Sequence, residues 1–238
     1  SSSLKLQGPL MKNHTSFVLS GRTSYLQHIA RLYNEANDSE SMPSYGFSDI
    51  TLGVTSEFNS RWSLSIFGLY TTDRLRVSVG RNDMKHKLGW STYSANTRVR
   101  HAGEQGDLFF GGGIAVSQAE GESNGYTKVN IDNCYRAWEF FLCYNRELTK
   151  NWRAEVGGKF NRSLFALHMQ GRFNFNIYQF YLNTRYEFNL DWEIVAGLNY
   201  QFYEGNSIMG IWSPRLKTSY RLGEWSVWAD YAKTVQYV

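Results

Sequence analysis

A two-residue period runs through most of this chain and restricts it to extended structure. Its clearest stretch is 191–204, where Trp192, Ile194, Ala196, Leu198, Tyr200 and Phe202 alternate with Glu193, Val195, Gly197, Asn199 and Gln201. Successive side chains of a strand point to opposite faces, so one face here is greasy and the other polar or small. Segment 151–162 repeats this, with Trp152, Ala154, Val156, Gly158 and Phe160 opposite Arg153, Glu155, Gly157, Lys159 and Asn161. Burying Arg153 and Lys159 in a dry core would be costly; facing water they lose nothing.

Other segments follow the same rule. Ile50, Leu52, Val54 and Phe58 oppose Thr51, Gly53, Thr55 and Glu57; Leu108, Phe110, Ile114 and Val116 oppose Phe109, Gly111, Gly113 and Ala115. Tyr178, Phe180, Leu182, Tyr186 and Phe188 oppose Gln179, Asn183, Arg185 and Glu187, and Leu216, Thr218, Tyr220 and Leu222 oppose Arg215, Lys217, Ser219 and Arg221. About twelve strands of roughly 10 to 15 residues are expected, long against a globular average of about five or six. Short polar turns at 12–14, 59–61, 103–106, 149–151, 189–191 and 223–224 alternate with longer irregular links at 26–45, 77–86, 119–134, 164–173 and 204–211. Short turns on one edge and long loops on the other predict an all-β transmembrane antiparallel β-barrel with periplasmic short turns. A soluble sandwich has no reason to keep that alternation. Trp62, Trp152, Trp192 and Trp225 each follow a short turn, the position of an aromatic belt at headgroup level. Only 26–40 has helical spacing, with Leu26, Ile29, Ala30 and Tyr33 on one side. A short helix within an external loop, packed on the barrel rim, is expected there.

Bulk properties exclude several classes. No stretch approaches the roughly 18 apolar residues of a membrane helix. The mean hydropathy of −0.46 fits a barrel wall, whose lipid-facing and lumen-facing residues average to mild polarity. Aromatics make up 16% of the residues against 3 prolines, a mix that favours strands. The net charge is +4, but the basic residues are scattered without a long run, so no nucleic-acid partner is expected. Cys134 and Cys143 are nine residues apart in one expected strand, about 30 Å, and cannot bridge. The chain opens Ser1-Ser2-Ser3 without the basic and apolar regions of a signal peptide, as expected of a mature protein or a piece of one.

Catalysis is not expected. His14 and His101 fall by the turn pattern on the periplasmic side while His28, His86 and His168 fall on the external side, so no hydrolase triad is indicated. Gly111-Gly112-Gly113 lacks the following helix and Lys-Ser/Thr of a phosphate cradle; these glycines suit a strand that bends or is closely approached. Neither a metal site nor a cofactor is expected.

The two ends of the chain are more specific. The run from Leu4-Lys5-Leu6-Gln7-Gly8-Pro9-Leu10-Met11-Lys12 through Thr15-Ser16-Phe17 to Arg22-Thr23-Ser24-Tyr25 resembles an early barrel hairpin of TonB-dependent receptors from Bacteroidetes. Ser213-Pro214-Arg215-Leu216, Tyr220-Arg221-Leu222 and Trp225 to Tyr237 resemble a mid-barrel hairpin of that family, with Ser213 for the usual Glu, Trp228 for Lys and Lys233 for Arg. The resemblance implies that 1–238 is a barrel portion without plug domain or TonB box, roughly half of a plugged barrel of about 22 strands. It implies a bacterial outer-membrane transporter importing a large nutrient such as a siderophore, glycan, peptide or cofactor. Its implied partners are outer-membrane lipid, the plug domain and remaining barrel strands, the TonB complex acting through the plug, and a surface lipoprotein lid. Glu57, Arg153, Glu155, Lys159, Arg185, Glu187, Glu193, Arg215, Lys217, Arg221 and Asp230 then face the lumen and plug, where mixed charge suits hydrogen bonding. Two alternatives stand beside it: a self-contained 12-stranded outer-membrane pore or barrel enzyme, and a structural component of an outer-membrane complex. Two unpaired edges are not viable in lipid, so a barrel portion is expected as an open curved sheet completed by further strands.

Overall fold

Each pair of consecutive alternating segments becomes a hydrogen-bonded antiparallel pair in the computed structural model, which describes residues 1–37, 42–79, 84–124, 128–168, 170–205 and 208–233. The sheet has 12 strands in strict chain order. They are β1 (Ser2–Met11), β2 (Thr15–Thr23), β3 (Ser44–Glu57), β4 (Trp62–Val79), β5 (Met84–Ala102), β6 (Asp107–Asn124), β7 (Lys128–Thr149), β8 (Trp152–Leu167), β9 (Gly171–Glu187), β10 (Trp192–Glu204), β11 (Ile208–Leu222) and β12 (Trp225–Ala232). One helix, α1 (Leu26–Ala36), interrupts the run between β2 and β3.

Register transmits each face across the sheet. Val156 faces Leu182, Leu182 faces Leu198 and Leu198 faces Pro214. On the opposite side Arg153 faces Arg185, Arg185 faces Val195, Val195 faces Lys217 and Lys217 faces Asp230. A slip of one residue would exchange these two sets completely. The sheet thus has an apolar face and a charged face, and the alternation named in the sequence holds in every segment given above. Very little is buried among the described residues: Gly46, Gly53, Ala137, Cys143 and Ser163 in the sheet, Ala30 and Ser24 at the helix. Leu52, Phe180 and Leu182 are at least 50% exposed. A wall this open has no core of its own, and both of its faces need covering from outside the chain.

β1 and β12 are the edges. Leu6 pairs with Leu19 and Val227 with Tyr220, and the two edge strands do not pair with each other. The sheet is open, as expected of a barrel portion.

The links differ from expectation. Of the irregular segments, the region around α1 joins its strands through a helix, and the described residues of the others are largely strand. β4 runs to Val79 and β5 starts at Met84, β6 runs to Asn124 and β7 starts at Lys128, and β8 runs to Leu167 with β9 starting at Gly171. Several strands therefore exceed the expected length, β7 reaching 22 residues. The physical reason is that ladder hydrogen bonds persist beyond the zone of one-sided burial, and the apolar period that marks a strand in sequence is lost there. The short turns lie where expected. Asn59 and Asn189 build two of them alike: the Asn59 side-chain oxygen accepts from the Arg61 and Trp62 N–H groups, each at 2.9 Å. Asn189 accepts from Asp191 and Trp192 at 2.9 and 2.8 Å. Such Asx turns hold the chain in place as the next strand begins.

The triple glycine is mid-strand in β6. A Cβ at Gly111 would strike the Thr97 carbonyl and the Phe141 ring, and one at Gly112 the Glu139 carbonyl at 2.6 Å. What comes close is the neighbouring strands and their rings. Cys134 and Cys143 both lie in β7 as free thiols, on opposite faces by parity.

Candidate functional site: a charged sheet face and its aromatic border

Strand parity brings all the charged positions singled out in the sequence to one face. Arg153, Arg185, Lys217 and Asp230 share a row, and Glu155, Asn183 and Arg215 the next. Glu187, Glu193 and Ser219 share a third, while Lys159 lies opposite Gln179. Glu57, opposite Ser63, and Arg221, opposite Ser226, stand beside the short turns on this same face.

The rows contain like charges side by side, and ion pairs within and between strands offset them. Arg153 and Arg185 are direct register partners, but Arg153 reaches Glu147 at 3.0 Å and Arg185 bridges Glu187, at 3.2 Å, and Glu193. Glu193 also accepts from the Ser219 hydroxyl at 2.8 Å. Lys159 pairs with Glu139 at 3.2 Å, Arg215 with Asp230 at 3.2 Å, and Asn183 donates to Glu155 at 3.2 Å. Most of these side chains stay about half exposed, so they can also bond to an opposing polar surface.

The sequence pattern missed part of this face. Arg22 and Asp49 pair at 2.8 Å and Arg100 and Asp107 at 2.7 Å. The Arg98 guanidinium lies 4.4 Å from the Phe109 ring centroid. Glu139 and Glu147 stand in β7, where Phe140, Phe141 and Leu142 run together and blur the period. Phe141 shares the face with Glu139 because it covers the bare backbone at Gly111.

At the strand ends away from the short turns the polarity reverses. The row Tyr45, Leu75, Leu88, Gly121, Ile131 lies on the face that elsewhere carries charge, followed by Phe47, Asp73, Trp90 and Ala119. Tyr135, Phe165 and Phe175 continue it, with ring centroids 4.6 and 5.6 Å apart. Behind them, on the otherwise apolar face, stand Arg74, Arg76, Lys87, Glu120, Glu122 and Asp132, with Lys87 and Glu122 paired at 3.3 Å.

The tryptophans form a border at the short-turn end. Trp62, Trp152, Trp192 and Trp225 all lie on the apolar face, opposite His101, Tyr186, Tyr220 and Leu222. Phe188 stacks on Trp192 at 4.1 Å, and Trp62 meets His101 at 4.4 Å. The indole N–H of Trp152 donates to Thr184, and that of Trp192 to Thr218 at 3.1 Å. His14 stands at this end as well, whereas His28, His86 and His168 lie at the other.

No protein-family profile matches the chain, and no curated protein sequence matches it. Solved structures do. A mutant of the ferric enterobactin receptor PfeA from Pseudomonas aeruginosa superposes with a TM-score of 0.72 at 12% identity, over 97% of this chain and 40% of that one. The siderophore receptor PirA from Acinetobacter baumannii gives 0.72 at 12% identity, over 97% and 39%. The alcaligin outer membrane receptor FauA from Bordetella pertussis gives 0.67 at 10% identity, over 97% and 40%. The chain thus spans about two fifths of the length of these receptors, and its fold is similar to that part of them.

Proposed function

We propose that this chain is a length of the barrel wall of a TonB-dependent outer-membrane transporter, of the type found in Bacteroidetes, and that it has no catalytic role. The observation that carries this is the sorting of side chains by a register interrupted, among the described residues, only near two short turns, at Pro9/Met11 and Glu147/Thr149: one face apolar and bordered by tryptophan, the other laced with half-exposed ion pairs, with both edges unpaired. The apolar face meets outer-membrane lipid, and the tryptophans anchor it at the periplasmic headgroups. The charged face, including Glu57, Glu155, Lys159, Arg185, Glu193 and Arg215, lines the lumen and holds a plug domain by hydrogen bonds. Further strands continue from β1 and β12, because unpaired backbone in hydrocarbon costs several kcal/mol per group. The ring-lined ends beyond the charged rows form the outer vestibule, which receives a large nutrient before the TonB complex, acting on the plug, lets it pass. The opening and closing motifs support the assignment to Bacteroidetes, and with it a siderophore, glycan, peptide or cofactor as cargo and a surface lipoprotein lid.

The test is accessibility in the full-length protein. Spin labels at Phe160, Leu198, Phe202 and Tyr231 should collide with lipid-soluble oxygen, and labels at Arg153, Lys159, Asn199 and Arg215 with a water-soluble nickel chelate. The opposite result inverts the wall. The flanking coding sequence tests the rest: a plug-like domain upstream is expected, and stop codons directly on both sides exclude a plugged transporter.

A further inference from the structure

α1 sits on the apolar face of the wall and leaves an apolar flank uncovered. Its contact with β3 is narrow: Gln27 lies over Gly46, where an added Cβ would collide with the Gln27 side chain, and Ala30 is buried beneath the helix. Gly46 shares its face with Ile50 and Leu52. The attachment is firm. Ser24 N–H donates to the Phe47 carbonyl at 2.8 Å, extending the β2–β3 ladder to the base of the helix. Asn34 clamps the returning chain, donating to the Met42 carbonyl at 3.1 Å and accepting from the Met42 N–H at 3.0 Å.

At 100° per residue, Gln27, Ala30 and Asn34 make the line that faces the wall. Leu26, Ile29 and Tyr33 make a flank beside that line and are 50%, 46% and 51% exposed. His28, Arg31 and Glu35 take the remaining side, with Arg31 and Glu35 paired at 3.8 Å, and Leu32, 60% exposed, stands between them and Ile29. The helix is therefore amphipathic about an axis lying against the sheet, with its apolar part turned along the wall.

Its height follows from the register. Tyr70 and Tyr93, stacked at 4.7 Å on the apolar face, are followed toward the helix by Thr72 and Ser91, and then by Arg74, the partner of Gly46. Tyr70 to Arg74 is about 13 Å along a strand and less in height for a tilted one. Apolar side chains give way to charge across that interval, as at the boundary between acyl chains and headgroups.

We propose that α1 is an interfacial helix that lies in the outer-leaflet boundary of the membrane, with Leu26, Ile29 and Tyr33 in lipid and His28, Arg31 and Glu35 in water. This rests on the apolar face being the lipid face. Lipid is the occupant because the helix lies over Gly46 on that face, at the level where Ile50 and Tyr70 give way through Ser48 and Thr72 to Arg74. An amphipathic helix with aromatic and aliphatic residues on one side and charge on the other binds such a boundary.

The experiment uses the full-length protein in vesicles of its native outer-membrane lipid, with single spin labels at Ile29, Arg31 and, as the wall control, Leu198. Ile29 should show a ratio of oxygen to nickel-chelate collision several-fold above that of Arg31 and below that of Leu198. A label at Leu26 serves if the one at Ile29 impairs assembly. If Leu198 reports lipid while Ile29 and Leu26 report water or are shielded from both probes, the helix is not interfacial and the wall assignment stands. If Leu198 itself reports water, the wall assignment fails first.

Discussion

Next to the short turns the face bearing Leu182 and Leu198 is apolar and the face bearing Arg153 and Lys159 is charged; at the far ends of β4 to β7 the faces have exchanged character. There Arg74, Lys87 and Glu120 stand in line with the apolar face, and Leu75, Leu88 and Trp90 in line with the charged one. Backbone pairing is the same in both regions, with continuous register from Trp62 opposite His101 to Val79 opposite Met84. Polarity is thus set by what borders the sheet and not by the sheet. On the proposed reading, hydrocarbon covers one side of the first region and a wet, plug-filled lumen the other, while in the second region water and headgroups replace hydrocarbon and the inner side becomes a vestibule whose rings suit cargo more than a plug.

The sharpest way to break this comparison is to place the same charge at both levels. Leu198→Arg, near mid-depth by its distance from Trp192, should cost about 2–4 kcal/mol, enough to deplete the assembled protein. Gln118→Arg lies on the same face within the boundary, opposite Ser91 and Cys134, and should cost no more than about 1 kcal/mol. Urea unfolding of the full-length protein in lipid measures both. Equal losses would mean that hydrocarbon borders both levels.

A second contrast concerns glycine. Gly111→Ala would drive a Cβ into the Thr97 carbonyl and the Phe141 ring, and a backbone obstacle cannot step aside. Gly121→Ala meets only side-chain atoms of Leu88 and Ile131, at 3.1 and 3.3 Å. Overpacking costs of about 1–3 kcal/mol apply to the first, and less than about 1 kcal/mol is expected for the second. The same unfolding assay ranks them, and a reversed order would show that the membrane-level strands are the more compliant region.

The turns are the third. Asn59→Ala and Asn189→Ala each remove an acceptor used by two N–H groups at the base of a tryptophan-led strand. Each should cost about 0.5–1.5 kcal/mol, and Asn→Asp should retain most of it because the acceptor survives. Asp variants as unstable as Ala would exclude this role for the side chain.

The sequence disclosed the first region well and the second poorly, for one physical reason. Where one face meets hydrocarbon, every second residue must be apolar, and Trp192 to Phe202 or Trp152 to Phe160 records it. Past the boundary both faces can be mixed, so Glu120 to Asn124 and Lys128 to Ile131 show no single period and read as irregular link although they are paired strand. The charged face was legible in Arg153, Glu155, Lys159, Arg215 and Lys217, where small or apolar residues separate the charges. Glu139 and Glu147 escaped because aromatic residues occupy both faces of β7, and Arg22 with Asp49 because their partnership spans α1. The short turns and the helix were legible from local chemistry alone. That the sheet would remain open followed from the resemblance to part of a larger barrel, since twelve strands alone could also close on themselves.

The smallest effect tests the lumen itself. Lys159–Glu139 and Lys87–Glu122 are cross-strand ion pairs of nearly equal length, 3.2 and 3.3 Å, with similarly exposed side chains in the wall alone. The first lies on the charged face, which a plug would cover; the second lies on the outward face beyond the boundary, in water. Solvent-exposed pairs contribute about 0.2–1 kcal/mol and are screened by salt, whereas covered pairs are screened much less. Double-mutant cycles with Ala at each position, in the full-length protein at low salt, should give coupling in that range for both. Raising the salt to about 1 M, where the screening length falls to about 3 Å, should abolish the Lys87–Glu122 coupling and leave most of the Lys159–Glu139 coupling in place. If both vanish together, the charged face is as open to bulk solvent as the outer rim, and no plug covers it at that height.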